Sequence, residues 1–385
     1  MEPAEKKHSL VGTPSYDNWR AFIAGEPALV EYECYFYTDA RLIGEIANPA
    51  LGPYALFNLV PFIEERGRVR AALVLRLSLH VHFDTPKMDK TDQSRYHGGW
   101  ITDEIAALAS LKCGIRLRSG GEARWFPLGG DPKGRPVSWT AHSEPTLNIG
   151  PRGFVLPNVT GEHSIMGAKE MASLPSLSAE QAIALVRSAR LYQDALWLAD
   201  SEPNLSWLLL VSAIETAANL WCSTKDSPLE RLRGARPDFV KYLENTRVEG
   251  LSDCVAKEFA NSIGATKKFV EFMLEHRPPP PEKRPPEWAQ VEWSSDSLKG
   301  AFRKIYDHRS KALHDGMPFP APMCLPPVKY EKSWQAVAER PAASAMATSG
   351  GTWLAEDTPM LLHTFEYMTR YALNAWWSSM VASVS

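Results

Sequence analysis

The sequence predicts an α+β protein in which a β-rich domain is followed by an all-α helical domain. Between about residues 28 and 158, apolar and polar residues alternate, which is the spacing of strands with one buried face. From about residue 175 the apolar residues recur at helical spacing instead. A chain of 385 residues is also long enough for two cores. We therefore predict a β-rich domain over residues 1–165 and a helical domain over residues 175–385.

Composition narrows the class of protein. A hydrophobic content of 44% with 23% charged residues is ordinary for a globular chain, and a formal charge of −3 gives no overall attraction to nucleic acid. The five cysteines include no C-x-x-C pair, which argues against a zinc site and a disulfide framework. The first ten residues have no apolar core, and polar residues interrupt the most apolar run, Trp207–Trp221. We predict a cytoplasmic protein with no membrane span and no cofactor.

The strand pattern is sharpest in two segments. In the first, Val30, Tyr32, Cys34 and Phe36 alternate with polar or aromatic residues. In the second, leucines at every other position from Leu75 share a face, and the opposite face carries Arg76, Ser78, His80, His82 and Asp84. After these strands we expect a helix that Thr102 caps and Gly114 ends. Residues 115–118 and 123–126 are then expected to form a hairpin.

The predicted helices of the second half have recognisable starts. Ser178 and Gln181 have the spacing of a capping box, ahead of a stripe formed by Leu185, Ala189, Tyr192 and Leu196. The apolar run Asn204–Cys222 predicts the central helix. Further helices are expected from Pro228, from Ser252 to Met273, and from Thr358. A proline-rich insertion at about residues 277–290 predicts an extended connection, and residues 317–328 and 336–351 predict loose segments.

A short predicted helix, Leu298–Gly316, concentrates ionisable side chains in three or four turns. Its sequence is LKGAFRKIYDHRSKALHDG, and Gly316 with Pro318 ends it. Within it, Arg309 and His314 are separated by four residues, a spacing written R-x4-H. Comparable spacings occur at Arg303/His308, Arg76/His82 and Arg135/His142, so spacing alone does not select one pair.

The helical half resembles the HEPN superfamily, and within it the ApeA-like branch of bacterial defence proteins. The resemblance covers about residues 178–385. It rests on the segment Trp207–Glu215, on the segment Tyr306–Gly316 (YDHRSKALHDG) and on the aromatic tail around Trp376-Trp377. It implies a metal-independent ribonuclease in which the R-x4-6-H motifs of two subunits meet, Arg309 and His314 being the motif residues. Active members often have Asn, Asp or His directly after the Arg, where this chain has Ser310.

The chemistry of RNA cleavage agrees with that assignment. Without a metal, the reaction needs a base for the 2′-hydroxyl, an acid for the leaving 5′-oxygen and a cation for the phosphate. Arg309 suits the phosphate because a guanidinium keeps its charge and binds oxygens in pairs. His314 suits the proton transfers. The residues expected to support them are Glu215, Tyr306, His308, Ser310 and Lys311.

The geometry of an ideal helix predicts a homodimer. Residues five apart point roughly 140° away from each other, so Arg309 and His314 of one chain do not easily clamp one phosphate. Two motifs facing each other across a two-fold axis do so. We therefore expect RNA as substrate, a second copy of the chain as partner, and a β-rich domain that senses a trigger of unknown identity.

Two other hypotheses come from different classes of protein. In the first, Arg309 pairs with Glu215, a lone acid on an apolar helix, and the helical half is an inactive dimerisation or binding module. In the second, His80, His82 and Asp84 form part of a metal-dependent hydrolase site. Arg116, Arg118, Arg124 and Trp125 are either a nucleic-acid contact or a charged surface.

Overall fold

The computed structural model divides the 385-residue chain into two compact units, each with its own buried apolar core. The first unit comprises Met1–Ser206 and Trp377–Ser385, and the second comprises Trp207–Trp376. The structure describes residues 10–59, 68–83, 89–127, 134–151, 153–223, 227–246, 248, 250–259, 264–329, 337–348 and 350–383. A β-rich first part and a helical second part confirm the α+β class.

The first unit is built on a six-stranded sheet with the strand order β3-β4-β5-β1-β6-β7, in which neighbours run antiparallel. A separate parallel pair is formed by β2 and β8. The strands are β1 (Val30–Thr38), β2 (Ala40–Ile43), β3 (Ile46–Leu51), β4 (Tyr54–Asn58), β5 (Arg70–Leu79), β6 (Arg118–Phe126), β7 (Ser138–Trp139) and β8 (Gly161–Ser164). The predicted β-rich character of this part is confirmed.

Side-chain alternation explains the buried face of the sheet. Cys34 on β1 lies opposite Leu75 on β5, and both are fully buried, as is Phe36. Because β5 ends at Leu79, His80 and His82 lie beyond the strand and do not extend its polar face. The predicted strand was therefore too long at this end, and Asp84 lies outside the described residues.

In the described part of this unit the α-helices before residue 200 are α1 (Pro14–Ile23), α2 (Ile101–Cys113) and α3 (Ala179–Leu198), and a 3-10 segment, Ile165–Ser176, precedes α3. The capping box of α3 is confirmed, since Ser178 and Gln181 exchange hydrogen bonds of 2.8 and 3.2 Å. The predicted Thr102 cap is wrong because the N-cap of α2 is Trp100, two residues earlier, whose N–H donates to the Asp103 carboxylate. Since α3 packs along α2, it belongs to the first unit, which extends past the predicted boundary between residues 165 and 175.

The hairpin predicted over residues 115–126 is wrong. Residues 118–126 form one continuous strand, β6, which pairs with β1, and residues 115–117 belong to no strand. Gly121 has a φ of 82°, and the register with β1 shifts around Cys34. The glycines therefore make a bulge in a strand instead of a turn between two strands, because a positive φ serves either purpose.

A buried charge cluster joins distant segments of the first unit. The Arg116 side chain is fully buried, and its Nη1 donates to Asp39 Oδ2 at 2.7 Å while Nη2 donates to Asp200. Its Nε donates to the Leu196 carbonyl oxygen at 2.8 Å. Asp200 also accepts the Val155 N–H at 2.6 Å. A guanidinium closed in this way holds the fold together and has no access to nucleic acid.

Replacement of Arg116 tests this cluster. Arg116→Met should lower the free energy of unfolding by about 3–5 kcal/mol, because two buried carboxylates lose their counter-charge. Urea unfolding followed by circular dichroism measures the loss. The control is Arg41→Met, which removes an exposed pair with Glu162 and should cost no more than about 1 kcal/mol. Equal losses in the two variants would contradict the assigned role.

The second unit is mainly helical. Its helices are α4 (Pro203–Ser223, in this unit from Trp207), α5 (Pro228–Ala235), α6 (Pro237–Asn245), α7 (Leu251–Phe259), α8 (Ala265–Glu275), α9 (Ser295–His314) and α10 (Leu362–Ala382, in this unit up to Trp376). The central position predicted for α4 is consistent with Trp207, which is fully buried between Phe319 and Phe365 at ring-centre distances of 5.2 and 4.8 Å. By length and composition alone α4 would also pass for a membrane span, but half of that stretch is buried inside the protein.

Three predictions for this unit were wrong in detail. The single helix expected from Ser252 is divided into α7 and α8, and Gly264, with a φ of 74°, precedes α8. The last helix begins at Leu362, after Thr358. The unit is also not all-α, since β9 (Ala345–Thr348) and β10 (Gly351–Leu354) pair as a hairpin, whose first strand lies in the segment 336–351 that was predicted to be loose. Small residues there obscured the strand pattern.

In the proline-rich insertion, residues 277–286 form neither helix nor strand, Glu287–Ala289 form a single 3-10 turn, and side chains hold the segment in place. Arg284 Nη2 donates to Glu339 Oε2 and to the Val291 carbonyl oxygen, both at 2.6 Å. Glu339 Oε2 also accepts the Val291 N–H at 2.7 Å. Nearby, His363 Nε2 lies 2.6 Å from the Ala338 carbonyl oxygen, and burial lowers the pKa of His363 to about 4.

His363 should make the stability of the fold depend on pH. Its folded pKa of about 4 lies below the ordinary value of 6.5, so the unfolded chain binds a proton first as the pH falls. Its contribution is therefore complete above pH 6.5 and is lost between pH 6.5 and 4, by up to about 1.4 kcal/mol per pH unit. Thermal unfolding of the parent and of His363→Gln across this range measures the difference. Parallel pH profiles would contradict the prediction.

Candidate functional site

The helix that carries the predicted motif is present, and its start and end have clear causes. Ser294 caps the N-terminus of α9 by accepting the Ser297 N–H at 3.3 Å. Phe302 and Ile305 are fully buried on one side. The helix runs to His314, and Gly316 follows with a φ of 66°. The predicted position of His314 in the last turn is confirmed.

Glu215 on α4 joins two side chains of α9. Its Oε2 accepts a hydrogen bond from Arg309 Nη2 at 2.7 Å, and its Oε1 accepts one from the Tyr306 hydroxyl at 2.7 Å. The Glu215 and Arg309 side chains are only 16% and 20% exposed, so solvent screens the pair weakly. The partner expected for this lone acid on α4 is therefore Arg309, supplemented by Tyr306.

Tyr306 also contacts Arg309 with the face of its ring. The guanidinium carbon lies 5.4 Å from the centre of the Tyr306 ring, within the range of a cation–π contact. Burial, together with the hydrogen bond to Glu215, raises the pKa of Tyr306 above its ordinary value, so the hydroxyl remains a donor. The Arg309 Nε–H is buried and has no acceptor among the described residues. One edge of the Arg309 guanidinium is thus held by Glu215, and its Nε–H is a donor without an acceptor among the described residues.

His314 lies on a different side of the helix from Arg309. It is exposed, as are its neighbours Leu313 and Asp315. The helix continues without interruption between Arg309 and His314, so the five-residue separation keeps their side chains about 140° apart. Within one chain the structure does not bring the two motif residues together.

The other supporting residues of α9 have separate surroundings. His308 Nε2 lies 2.9 Å from the carbonyl oxygen of Asp357, and burial lowers the pKa of His308 below its ordinary value. Lys304 Nζ donates to the Asp357 carboxylate at 3.3 Å and to the Glu356 carbonyl oxygen at 2.5 Å. Ser310 is half-buried and Lys311 is exposed. His308 therefore attaches a neighbouring segment to α9.

Sequence reasoning missed a second polar contact on α4. Asn219 lies one turn after Glu215, and its Oδ1 accepts a hydrogen bond from Lys268 Nζ on α8 at 3.1 Å. Lys268 is buried, with 5% of its surface exposed. The spacing of Glu215 and Asn219 by four residues was a usable signal, because such residues share one face of a helix.

The remaining predicted contacts are structural. Arg124 and Arg76 both bind the buried carboxylate of Glu33 across the sheet. His80 Nδ1 lies 2.7 Å from the Glu26 carbonyl oxygen, while His82 is exposed. Across the part of the chain that the structure describes, no three His, Cys, Asp or Glu side chains are grouped to hold a metal ion.

Comparison with known proteins adds no further assignment. No family model, curated protein or solved structure matches this chain. The function proposed below is therefore argued from the residues of α4 and α9 and from the sequence resemblance to the HEPN superfamily.

A double-mutant cycle tests the contact between α4 and α9. Glu215→Ala should lower the free energy of unfolding by about 1–3 kcal/mol, because two donors lose a charged acceptor. Combined with Arg309→Met, it should show a coupling energy of about 0.5–3 kcal/mol in urea unfolding. Additive effects of the two substitutions would show that the pair contributes nothing to the fold.

Proposed function

We propose that the protein is a metal-independent endoribonuclease of HEPN type that works as a cytoplasmic homodimer. Arg309 binds the scissile phosphate, and His314 transfers protons. This R-x4-H motif is the one implied by the resemblance of residues 178–385 to the HEPN superfamily. Its products are a 2′,3′-cyclic phosphate and a 5′-hydroxyl.

The observation that carries the proposal is the way Arg309 is held. Glu215 occupies one edge of its guanidinium and the Tyr306 ring supports it, yet its buried Nε–H has no acceptor among the described residues. That buried nitrogen is not the atom that meets an anion, but 20% of the Arg309 side chain stays exposed, and a guanidinium binds phosphate oxygens. The pair therefore orients Arg309 and leaves it able to bind an anion.

The proton transfers fall to His314 because it is exposed at the last turn of α9. A neutral imidazole removes the proton of the 2′-hydroxyl, whose oxygen then attacks phosphorus. A protonated imidazole gives its proton to the departing 5′-oxygen. Arg309 balances the negative charge that grows on the phosphate oxygens during these steps.

Two copies of the chain are needed because one copy separates its motif residues. The side chains of Arg309 and His314 point in different directions along an uninterrupted helix. If two α9 ends meet across a two-fold axis, His314 of one copy reaches a phosphate that Arg309 of the other copy holds. The base and the acid are then contributed by different subunits.

The biological setting follows from the ApeA-like part of the resemblance. We infer a role in antiviral defence, in which the β-rich first unit senses a trigger or docks a partner. RNA is the substrate, and the reaction requires no divalent cation.

A second candidate function, that of a binding module without catalytic activity, is also compatible with the way Arg309 is held. The hydrogen-bonded pair of Arg309 and Glu215 neutralises the guanidinium inside one chain, as a purely structural pair would. The helical unit would then be an inactive dimerisation or binding module, and the first unit would recognise a ligand. This function leaves His314 without a chemical role.

Cleavage of a labelled RNA in EDTA distinguishes the two functions. We expect the parent protein to cleave, and Arg309→Ala and His314→Ala each to lower the rate by at least about 100-fold, the size usual for lost proton transfer or charge stabilisation. Mass spectrometry should detect cyclic phosphate ends.

The matched control is Arg303→Ala on the same helix, because Arg303 is exposed and its R-x4-H spacing with His308 imitates the motif. It should cleave like the parent. Cleavage by His314→Ala at the parental rate would refute the nuclease assignment, and a parent protein that is inert on RNA would favour the binding module.

A further inference from the structure

The hairpin of β9 and β10 has two open edges. Each strand pairs only with the other among the residues that the structure describes. Ala345, Ala347, Thr348, Thr352 and Leu354 are exposed, Leu354 to 51%. Such edges present unpaired N–H and C=O groups to solvent.

The pairing pattern shows which backbone groups are available. The Ala355 N–H donates to the Ser344 carbonyl oxygen at 2.9 Å, so this pair is hydrogen-bonded. Antiparallel pairs alternate, and the following pair, Ala345 with Leu354, therefore points its N–H and C=O groups outward. The same alternation makes Ala347 with Thr352 a second outward pair. The free edge of β9 is thus formed by Ala345 and Ala347.

The segment carries no charged residue that would discourage strand pairing. Edge strands of soluble proteins commonly carry charged residues that discourage association. Residues 341–355 contain no Asp, Glu, Lys or Arg. The side chains at the free edge of β9 are methyl groups, which place nothing bulky in the way of another strand.

We propose that the free edge of β9 pairs with the same edge of a second copy of this chain. Two identical antiparallel strands are related by a two-fold axis, so each side chain lies opposite its own copy or a near neighbour. Any charge on β9 would then face a like charge, which destabilises a sheet. The uncharged segment removes this repulsion, and that favours a second copy over a charged foreign partner.

The root of the hairpin is attached to the helix of the candidate site. Lys304 and His308 on α9 contact Glu356 and Asp357, which follow β10. His308 directly precedes Arg309. Pairing of two hairpins would therefore draw the two α9 helices into one assembly. The choice of a second copy rests in part on the proposed function, whereas the open edge does not.

Substitution of Ala347 tests the pairing in the full-length protein. Ala347→Pro removes an outward N–H without removing a bond inside the hairpin, and Ala347→Lys places like charges opposite each other. Sedimentation velocity at protein concentrations of about 1–100 µM should show a dimer for the parent. Each variant should raise the dimer dissociation constant by at least about tenfold, since both copies lose their contacts.

The control is Ala347→Val, which keeps the outward N–H and suits a strand, and it should dimerise like the parent. Circular dichroism checks that the variants fold. A monomeric parent would overturn the proposal and leave a foreign strand as the occupant, and a dimer as strong in Ala347→Lys as in the parent would also overturn it. The result is independent of RNA cleavage. If the parent protein does not cleave RNA but its dimer is lost in Ala347→Pro, the pairing of β9 edges stands and only the nuclease proposal fails.

Discussion

The carboxylate of Glu215 is the constraint on which the arrangement of the helical unit depends. A single acid on an apolar helix must be satisfied when it is largely removed from water, because an unpaired charge there is costly. Glu215 meets this requirement with two donors from α9, the Tyr306 hydroxyl and the Arg309 guanidinium, each at 2.7 Å. The pair therefore fixes the register of α9 on α4 and determines where Arg309 can act.

Arg309 carries this constraint on the side of α9. Its guanidinium is paired with Glu215 on one edge and lies 5.4 Å from the centre of the Tyr306 ring, and its buried Nε–H has no acceptor among the described residues. The same helix also carries Lys304 and His308, which attach the segment after β10 to it. The hairpin is thus linked to α9 through Lys304 and through His308, the residue that precedes Arg309.

Several elements were predictable because their signals are local. The capping box at Ser178, the glycine that ends α2 and the glycine after α9 depend on residues within one turn, so sequence patterns capture them. The pairing of Arg309 with Glu215 was also predictable, since a lone buried acid requires a cation. By contrast, the Gly120-Gly121 segment reads as a turn but forms a bulge in β6, because β1 pairs with both sides of it.

The sequence by itself determined the order of a β-rich part and a helical part, the starts of α3 and α5, the ends of α2 and α9, and the need of Glu215 for a partner. Periodicity, helix caps and an unpaired charge are signals that can be read within a short stretch of sequence. Only the tertiary structure decided that Arg116 is buried between Asp39 and Asp200, that Tyr306 shares Glu215, and that residues 345–354 form a hairpin attached to α9. These contacts join residues far apart in the chain, and no local pattern specifies which distant partner a side chain or a strand edge will meet.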